Sequence, residues 1–191
     1  MIRSLTNDDG EVPSSFSQIS TKAISFFQRL IGTIDPQVQG CSKQLLAKII
    51  QNFLPTEAAI ELCKPVTSQE IRSTMFAIGN DKAPRLDGFT TQFFKVAWNI
   101  VGENVTTTVL RFFHTGKLSS AFNATSVTLV PKIQNPSCIK DYRPISCCSV
   151  IYKCITKIMA NRLKVYMPLL VSKNQSAFIL GRSIVDNILM A

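Results

Sequence analysis

The most restrictive stretch of this chain lies between Thr125 and Cys148, where TSVTLVPKIQNPSCIKDYRPISCC carries prolines at fixed points of an alternating pattern. Ser126, Thr128 and Val130 alternate with Val127 and Leu129, the period of a strand with two unlike faces. Pro131 has no amide hydrogen for a ladder and ends that strand. Gln134-Asn135-Pro136-Ser137 is a cluster of turn formers, so the chain reverses. Arg143 precedes Pro144 and is therefore pushed out of the helical region into extended backbone. Arg143-Pro144-Ile145 is thus a second extended piece, and the stretch predicts a small antiparallel sheet.

Lys132 falls at the exit of the first strand, on the side shared by Thr128 and Val130. The return strand can bring Arg143 to the same end of the sheet. A guanidinium fork suits phosphate oxygens and an ammonium acts as a mobile point charge, so one of each beside a turn makes a candidate triphosphate grip. Two solvated charges flanking a hairpin are the other reading, since the surface is the commonest place for these residue types. Spacing alone leaves both open.

The rest of the chain reads as mostly helical. A short leading segment closes in a turn at Asp8-Asp9-Gly10. Ile19, Ala23, Phe26, Phe27 and Leu30 recur at helical spacing from Ser15 to Leu30, with Gly32 as the stop. Ser42 opens a second helix lined by Leu45, Leu46, Ile49, Ile50 and Phe53 and ended by Pro55; Thr56 to Cys63 is a short third. Thr67-Ser68-Gln69-Glu70 has the form of a capping box, so a helix with Ile71, Met75 and Ile78 starts at Thr67 and ends near Gly79. Phe93, Phe94, Ala97, Trp98 and Val101 form one stripe, and Val105, Val109, Phe112 and Phe113 another, closed by Gly116. Both stripes read as core. A helix from about Ser149 to Tyr166 has Ile151, Ile155, Met159 and Leu163 on one face and Lys153, Lys157, Asn161 and Lys164 on the other, and Pro168 breaks it. Ser172 to Arg182 is a loop with Gln175 and Arg182 as its polar candidates.

Charge is unevenly spread. Residues 1–110 hold ten basic and ten acidic side chains, whereas 111–191 hold eleven basic and two acidic, which accounts for the net +9. A polyanionic partner follows, and nucleic acid fits better than an anionic membrane because the cations alternate with apolar helix faces and form no terminal block. The lysine stripe can track a nucleic-acid backbone, or be a solvated face with cations near a helix C-terminus. Six cysteines without a C-x-x-C pair, and a single histidine, argue against structural zinc and for free thiols in a reducing compartment. The start of the chain shows no signal peptide, and no apolar run approaches the ~20 residues of a membrane span. Cytoplasm or nucleus is the expected location.

Thr128-Leu129-Val130-Pro131-Lys132 followed by Asp141-Tyr142-Arg143-Pro144-Ile145-Ser146 resembles the first two fingers motifs of reverse transcriptases from non-LTR (LINE-type) retrotransposons, particularly those of plants. Asp81-Lys82-Ala83-Pro84-Arg85-Leu86-Asp87-Gly88-Phe89 resembles the family's segment before those strands. Asn174-Gln175-Ser176-Ala177-Phe178 and Gly181-Arg182 resemble the segment before its palm. The four motifs are in order and cover about residues 67–191. Two departures stand out: Arg85-Leu86 where the family usually has Gly-Pro, and Leu180 where it commonly has proline.

The resemblance implies a mixed α/β, mostly helical fold: the fingers portion of a right-hand polymerase with the palm missing. Residues 1–66 become a helical N-terminal extension and 67–191 a partial reverse transcriptase domain. It implies RNA-directed DNA synthesis as the family function, with Lys132 and Arg143 on the triphosphate of a deoxynucleotide. Lys153, Lys157, Lys164, Gln175 and Arg182 are the candidates for RNA template and DNA primer. No catalytic or metal-binding residue is expected, because the family's metal-holding aspartates belong to palm motifs beyond Ala191; magnesium is expected only with that palm. The basic half offers only Asp141 and Asp186, unpaired, so the polypeptide by itself is expected to transfer no nucleotide. A fingers piece without its palm is also expected to expose apolar surface around Ile184, Ile188 and Leu189. Two other readings remain at this point: a non-catalytic RNA-binding protein using the basic helix, and a retroelement remnant without selected activity.

Overall fold

The computed structural model describes residues 15–34, 36–38, 40–50, 52–80, 88–172, 174–176, 179–183 and 185. The turn expected at Asp8-Asp9-Gly10, the segment from Asp81 to Asp87, and the apolar patch at Ile184, Ile188 and Leu189 lie outside the described residues. Helices α1 (Phe16–Gly32), α2 (Lys43–Ile49), α3 (Thr56–Leu62), α4 (Ser68–Phe76), α5 (Thr91–Val96), α6 (Trp98–Thr115) and α7 (Ser120–Asn123) lead to strand β1 (Thr125–Pro131). A single 3-10 turn at Ile139–Asp141, strand β2 (Tyr142–Cys148) and helix α8 (Val150–Leu170) follow. The fold is mostly helical with one two-stranded antiparallel sheet, as the patterning predicts.

Helix starts follow local chemistry. The hydroxyls of Ser15, Thr67, Thr90 and Ser149 each accept from the amide three residues on, which satisfies one of the first-turn donors. Gly116 ends α6 at φ +68°, where its amide donates to the Phe112 carbonyl. Three expectations are corrected. Gly32 does not stop α1 but is its last helical residue, and Thr33 is the extended cap. The stripe from Phe93 to Val101 is two helices, because the backbone leaves helical geometry at Ala97. Pro168 does not break α8, which continues to Leu170. Only two helical residues follow that proline, so its missing amide leaves little helix to disrupt.

The chain divides into two compact units, one of residues 1–42 and 127–147, the other of 43–126 and 148–191. In the second unit α4, α6 and α8 bury Ile71, Met75, Val105, Val109, Ile151, Cys154, Ile155 and Ile158 in one core. Cys154 is fully buried, and loss of hydration pushes its thiol up to about 11. Trp98 lies flat on its own helix over Gly102, where a Cβ would sit 2.8 Å from the indole. The expected packing face of α2 is not buried: Leu45, Leu46, Ile49 and Ile50 are all exposed. The aromatic stripe is likewise only partly core, since Phe93 is exposed and Trp98 half-buried.

Arg162 ties this core together. Its Nε and Nη2 donate to the two carboxylate oxygens of Glu70 at 2.9 and 2.7 Å. Its Nη1 reaches the carbonyls of Leu62 and Lys64 at 3.1 and 2.5 Å, and Nη2 that of Pro65 at 3.3 Å. The fork thus fastens α8 to the start of α4 and to the segment after α3. Glu70 stands at the third position of α4, the capping-box position, and its carboxylate takes the Arg162 fork while the Thr67 backbone amide also helps to hold its charge.

In the first unit α1 lies on the hairpin, with Ile19 and Tyr142 buried and Leu129 packed against them. An open apolar cleft of about 680 Å³ continues along it, lined by Ala23, Ile24, Phe27, Ile31, Val127 and Leu129 among others.

The hydrogen bonds from Arg162 hold the Glu70 carboxyl below its ordinary value, so their contribution is present at neutral pH and is lost as pH falls through that lowered value. Arg162→Ala should cost about 2–3 kcal/mol at neutral pH, the range for a half-buried ion pair with further charged hydrogen bonds. Urea unfolding at neutral and acidic pH should show the difference from wild type shrinking on acidification. An equal loss at both values would assign the effect to the carbonyl contacts alone.

Candidate functional site

The register of the hairpin decides which side chains share a face. Lys132 donates its amide to the Asp141 carbonyl at 2.7 Å, and Thr125 Oγ1 meets Cys148 Sγ at 3.8 Å near the open end. Both contacts belong to one register, in which Val130 lies opposite Arg143 and Leu129 opposite Pro144. Hydrogen-bonded and non-hydrogen-bonded pairs alternate in an antiparallel ladder, so the Lys132–Asp141 bond puts Pro131 and Pro144 at positions where no amide is required. The same alternation turns Leu129 and Tyr142 toward Ile19. It turns Thr128, Val130 and Lys132 to the other face, with Arg143 and Ile145. Lys132 and Arg143 are therefore diagonal neighbours on the face turned away from α1, their backbones roughly 7–8 Å apart in a regular ladder.

The reversal itself is built by Asp141. Its Oδ2 accepts the amides of Ser137 and Cys138 at 3.0 and 2.9 Å, and its own amide donates to the Cys138 carbonyl at 3.0 Å. The Cys138 amide, then the Ser137 amide, hold the carboxyl below the usual carboxylate value, with the charge of Lys132 adding to them. Lys132 Nζ donates to the Lys140 carbonyl at 2.5 Å. The side chain of Arg143 is exposed and makes no hydrogen bond or ion pair with a described residue.

The other candidates belong to the second unit. Lys153, Lys157 and Lys164 fall within roughly 80° of arc around α8 together with Asn161. Lys153 and Lys157 are half-buried and Lys164 is exposed, which fits long stems that cover apolar neighbours while the ammonium stays wet. The apolar face is corrected: Val150, Ile151, Cys154, Ile155 and Ile158 are buried, while Met159 and Leu163 are 45% and 43% exposed. A strict four-residue spacing drifts about 40° per step around a helix of 3.6 residues per turn, so Ile151, Ile155, Met159 and Leu163 rotate out of the core.

Gln175 is exposed and donates its amide to the Ser172 carbonyl at 3.2 Å. Arg182, read from the sequence as a nucleic-acid contact, has its fork engaged with the chain itself. Nη1 donates to the carbonyls of Ser172 and Gln175 at 2.5 and 2.8 Å, and Nη2 to those of Pro168 and Val171 at 3.0 and 2.9 Å. It closes the C-terminal end of α8, where orphan carbonyls and the helix dipole favour a cation. Sequence reasoning missed Arg162 and Asp141 as organising residues. The Asp-to-turn spacing at Ser137–Asp141 was a usable signal for the second; nothing local marked the first. Among the described residues no group of three or more His, Cys, Asp or Glu side chains could hold a metal ion, and no helix is long and apolar enough to cross a membrane.

Comparison with known proteins bears on these residues directly. Residues 130–191 match a family model described as reverse transcriptase (RNA-dependent DNA polymerase). A protein described as the transposon TX1 uncharacterized 149 kDa protein, from Xenopus laevis, is 28% identical over 192 residues, covering 99% of this chain. The chain spans 14% of that relative's length. Together these matches bear out the resemblance to reverse transcriptases of non-LTR retrotransposons; neither bears on the plant type.

Arg182→Lys keeps the charge but cannot fork to four carbonyls. It should lower stability by about 1–2 kcal/mol and speed hydrogen exchange at the Val171 amide, which bonds Met167 at the end of α8. Wild-type exchange in the lysine variant would mean that charge alone serves there.

Proposed function

We propose that this chain, whose residues 130–191 match a reverse transcriptase family model and which is similar to a transposon protein, is a substrate-holding part of an RNA-directed DNA polymerase. Lys132 and Arg143 grip the triphosphate of an incoming deoxynucleotide. Lys153, Lys157 and Lys164, with Gln175 in the same unit, follow the sugar-phosphate backbone of RNA template and DNA primer. The observation that carries the reading is the hairpin register, in which one ammonium and one guanidinium share the face that α1 leaves open. A fork and a point charge side by side can meet two phosphate groups of one chain of phosphates at once. The remaining excess of positive charge in residues 111–191 supplies sequence-independent attraction to a polyanion.

These groups orient and do not react. Asp141 is the one described carboxylate of the basic half, and its Oδ2 is committed to two turn amides. Transfer of a nucleotide needs paired carboxylates around divalent ions, so we assign that chemistry to the family's palm, and the fingers role to residues 67–191. The N-terminal helices are assigned to the segment preceding the polymerase. The full activity is that of a larger protein.

Arg143→Ala and Lys132→Ala should each weaken binding of a fluorescent deoxynucleoside triphosphate about fivefold to tenfold at low salt, on the scale of one exposed charge-assisted contact. Thermal unfolding should hardly move, as for other surface substitutions. Unchanged affinity in both variants would remove the grip. Separately, Lys157→Ala and Lys164→Ala should each reduce the slope of log affinity against log salt for an RNA–DNA hybrid by roughly 0.7–0.9, equally for different sequences. A slope identical to wild type would make that face of α8 merely solvated.

A further inference from the structure

A two-cation grip would hold any phosphate, and the hairpin contains a group that opposes this. We propose that Asp141 is a built-in counter-charge that sets the selectivity of the Lys132–Arg143 grip, disfavouring ligands of low charge and favouring a chain of phosphates. The inference rests on the triphosphate reading above.

Asp141 pairs with Lys132 across the ladder through the 2.7 Å backbone bond, so the two residues cannot separate without opening the hairpin. Its carboxylate cannot swing away either, because Oδ2 holds the Ser137 and Cys138 amides. Those two bonds keep the group ionised throughout the neutral range. Lys132 meanwhile has one ammonium proton on the Lys140 carbonyl, which keeps the ammonium at the turn beside the aspartate. Two cations and one fixed anion leave a small net positive charge. An anion small enough to touch only Lys132 sits close to the carboxylate, and screened repulsion between unit charges about 4 Å apart is comparable to the attraction it gains. A longer polyphosphate reaches Arg143 as well, the next residue of β2 on the same face, and gains two contacts for the same repulsion. Selectivity then comes from an unfavourable element placed against the wrong ligand, not from a better contact with the right one.

The test uses the intact chain with inorganic phosphate and inorganic tripolyphosphate, titrated calorimetrically at low salt. Asp141→Asn offers a neutral oxygen at the position of Oδ2, so both turn bonds can persist while the charge goes. It should tighten phosphate binding about threefold to fivefold, the scale of one screened unit-charge repulsion, and tripolyphosphate binding less, so the ratio between them narrows. Adding Lys132→Ala should abolish the gain. Asp141→Ser keeps a short acceptor and should act in the same direction, and amide spectra of Ser137 and Cys138 report whether the turn is intact in each variant. An unchanged ratio in a variant with an intact turn, or weaker binding of both anions, overturns the role of Asp141 and leaves the grip standing. Tripolyphosphate binding that ignores Lys132→Ala and Arg143→Ala overturns the grip, and this inference with it.

Discussion

The Lys132–Asp141 backbone bond fixes the pairing of β1 with β2, and most of what the hairpin does follows from it. Side chains alternate with a period of two, so a slip of one residue would exchange the faces of every residue on one strand relative to the other. Tyr142 would lose Ile19 and Leu129, and Arg143 would turn toward α1. Pro131 and Pro144 oppose such a slip, because in the observed pairing both avoid the amide positions and in a slipped pairing one of the two would fall on such a position. The carboxylate of Asp141 then closes the reversal on the Ser137 and Cys138 amides. Geometry and electrostatics of the candidate site are thus two consequences of one pairing.

The second unit is stabilised differently. Its core is apolar, but the segment from Leu62 to Pro65 has carbonyls that neither helix nor strand uses, and Arg162 supplies donors for three of them. Leu62 is half-buried, and leaving its carbonyl unpaired there costs more than pairing it contributes. At the base of the hairpin Ser149 does two things with one hydroxyl. It accepts the Tyr152 amide to start α8 and donates to the Phe122 carbonyl at 2.7 Å, joining the segment that enters β1 to the helix that follows β2.

What could be read from the sequence was what is decided locally. The strand alternation, the proline positions, the Thr67 cap and the Gly116 stop each depend on neighbours within a few residues, and each appears where expected. What could not be read depends on partners far along the chain. Arg162 and Glu70 are 92 residues apart, and three of the arginine's other partners are backbone carbonyls, which have no signature in a sequence. The phase of α8 is illegible for another reason: four apolar residues at constant spacing read as a face, whereas the core follows the alternation of three and four that keeps Ile151, Ile155 and Ile158 aligned. Pro168 was given a breaker's role suited to a helix interior, whereas it stands in the last turn and Arg182 caps its carbonyl.

Among the arginines, commitment within the fold separates the structural from the available. Arg162 is neutralised by Glu70 and its donors are taken; Arg182 gives its two terminal nitrogens to four carbonyls. A guanidinium so held still contributes charge to the field around the protein, but forming a bidentate contact with phosphate would require breaking bonds already made. The Arg143 side chain has no such bonds with a described residue. The count of eleven basic residues against two acidic ones therefore describes the long-range field of residues 111–191 and overstates the number of side chains free to make a bidentate contact. On the hairpin the Arg143 side chain, uncommitted among the described residues, lies on the face turned from α1.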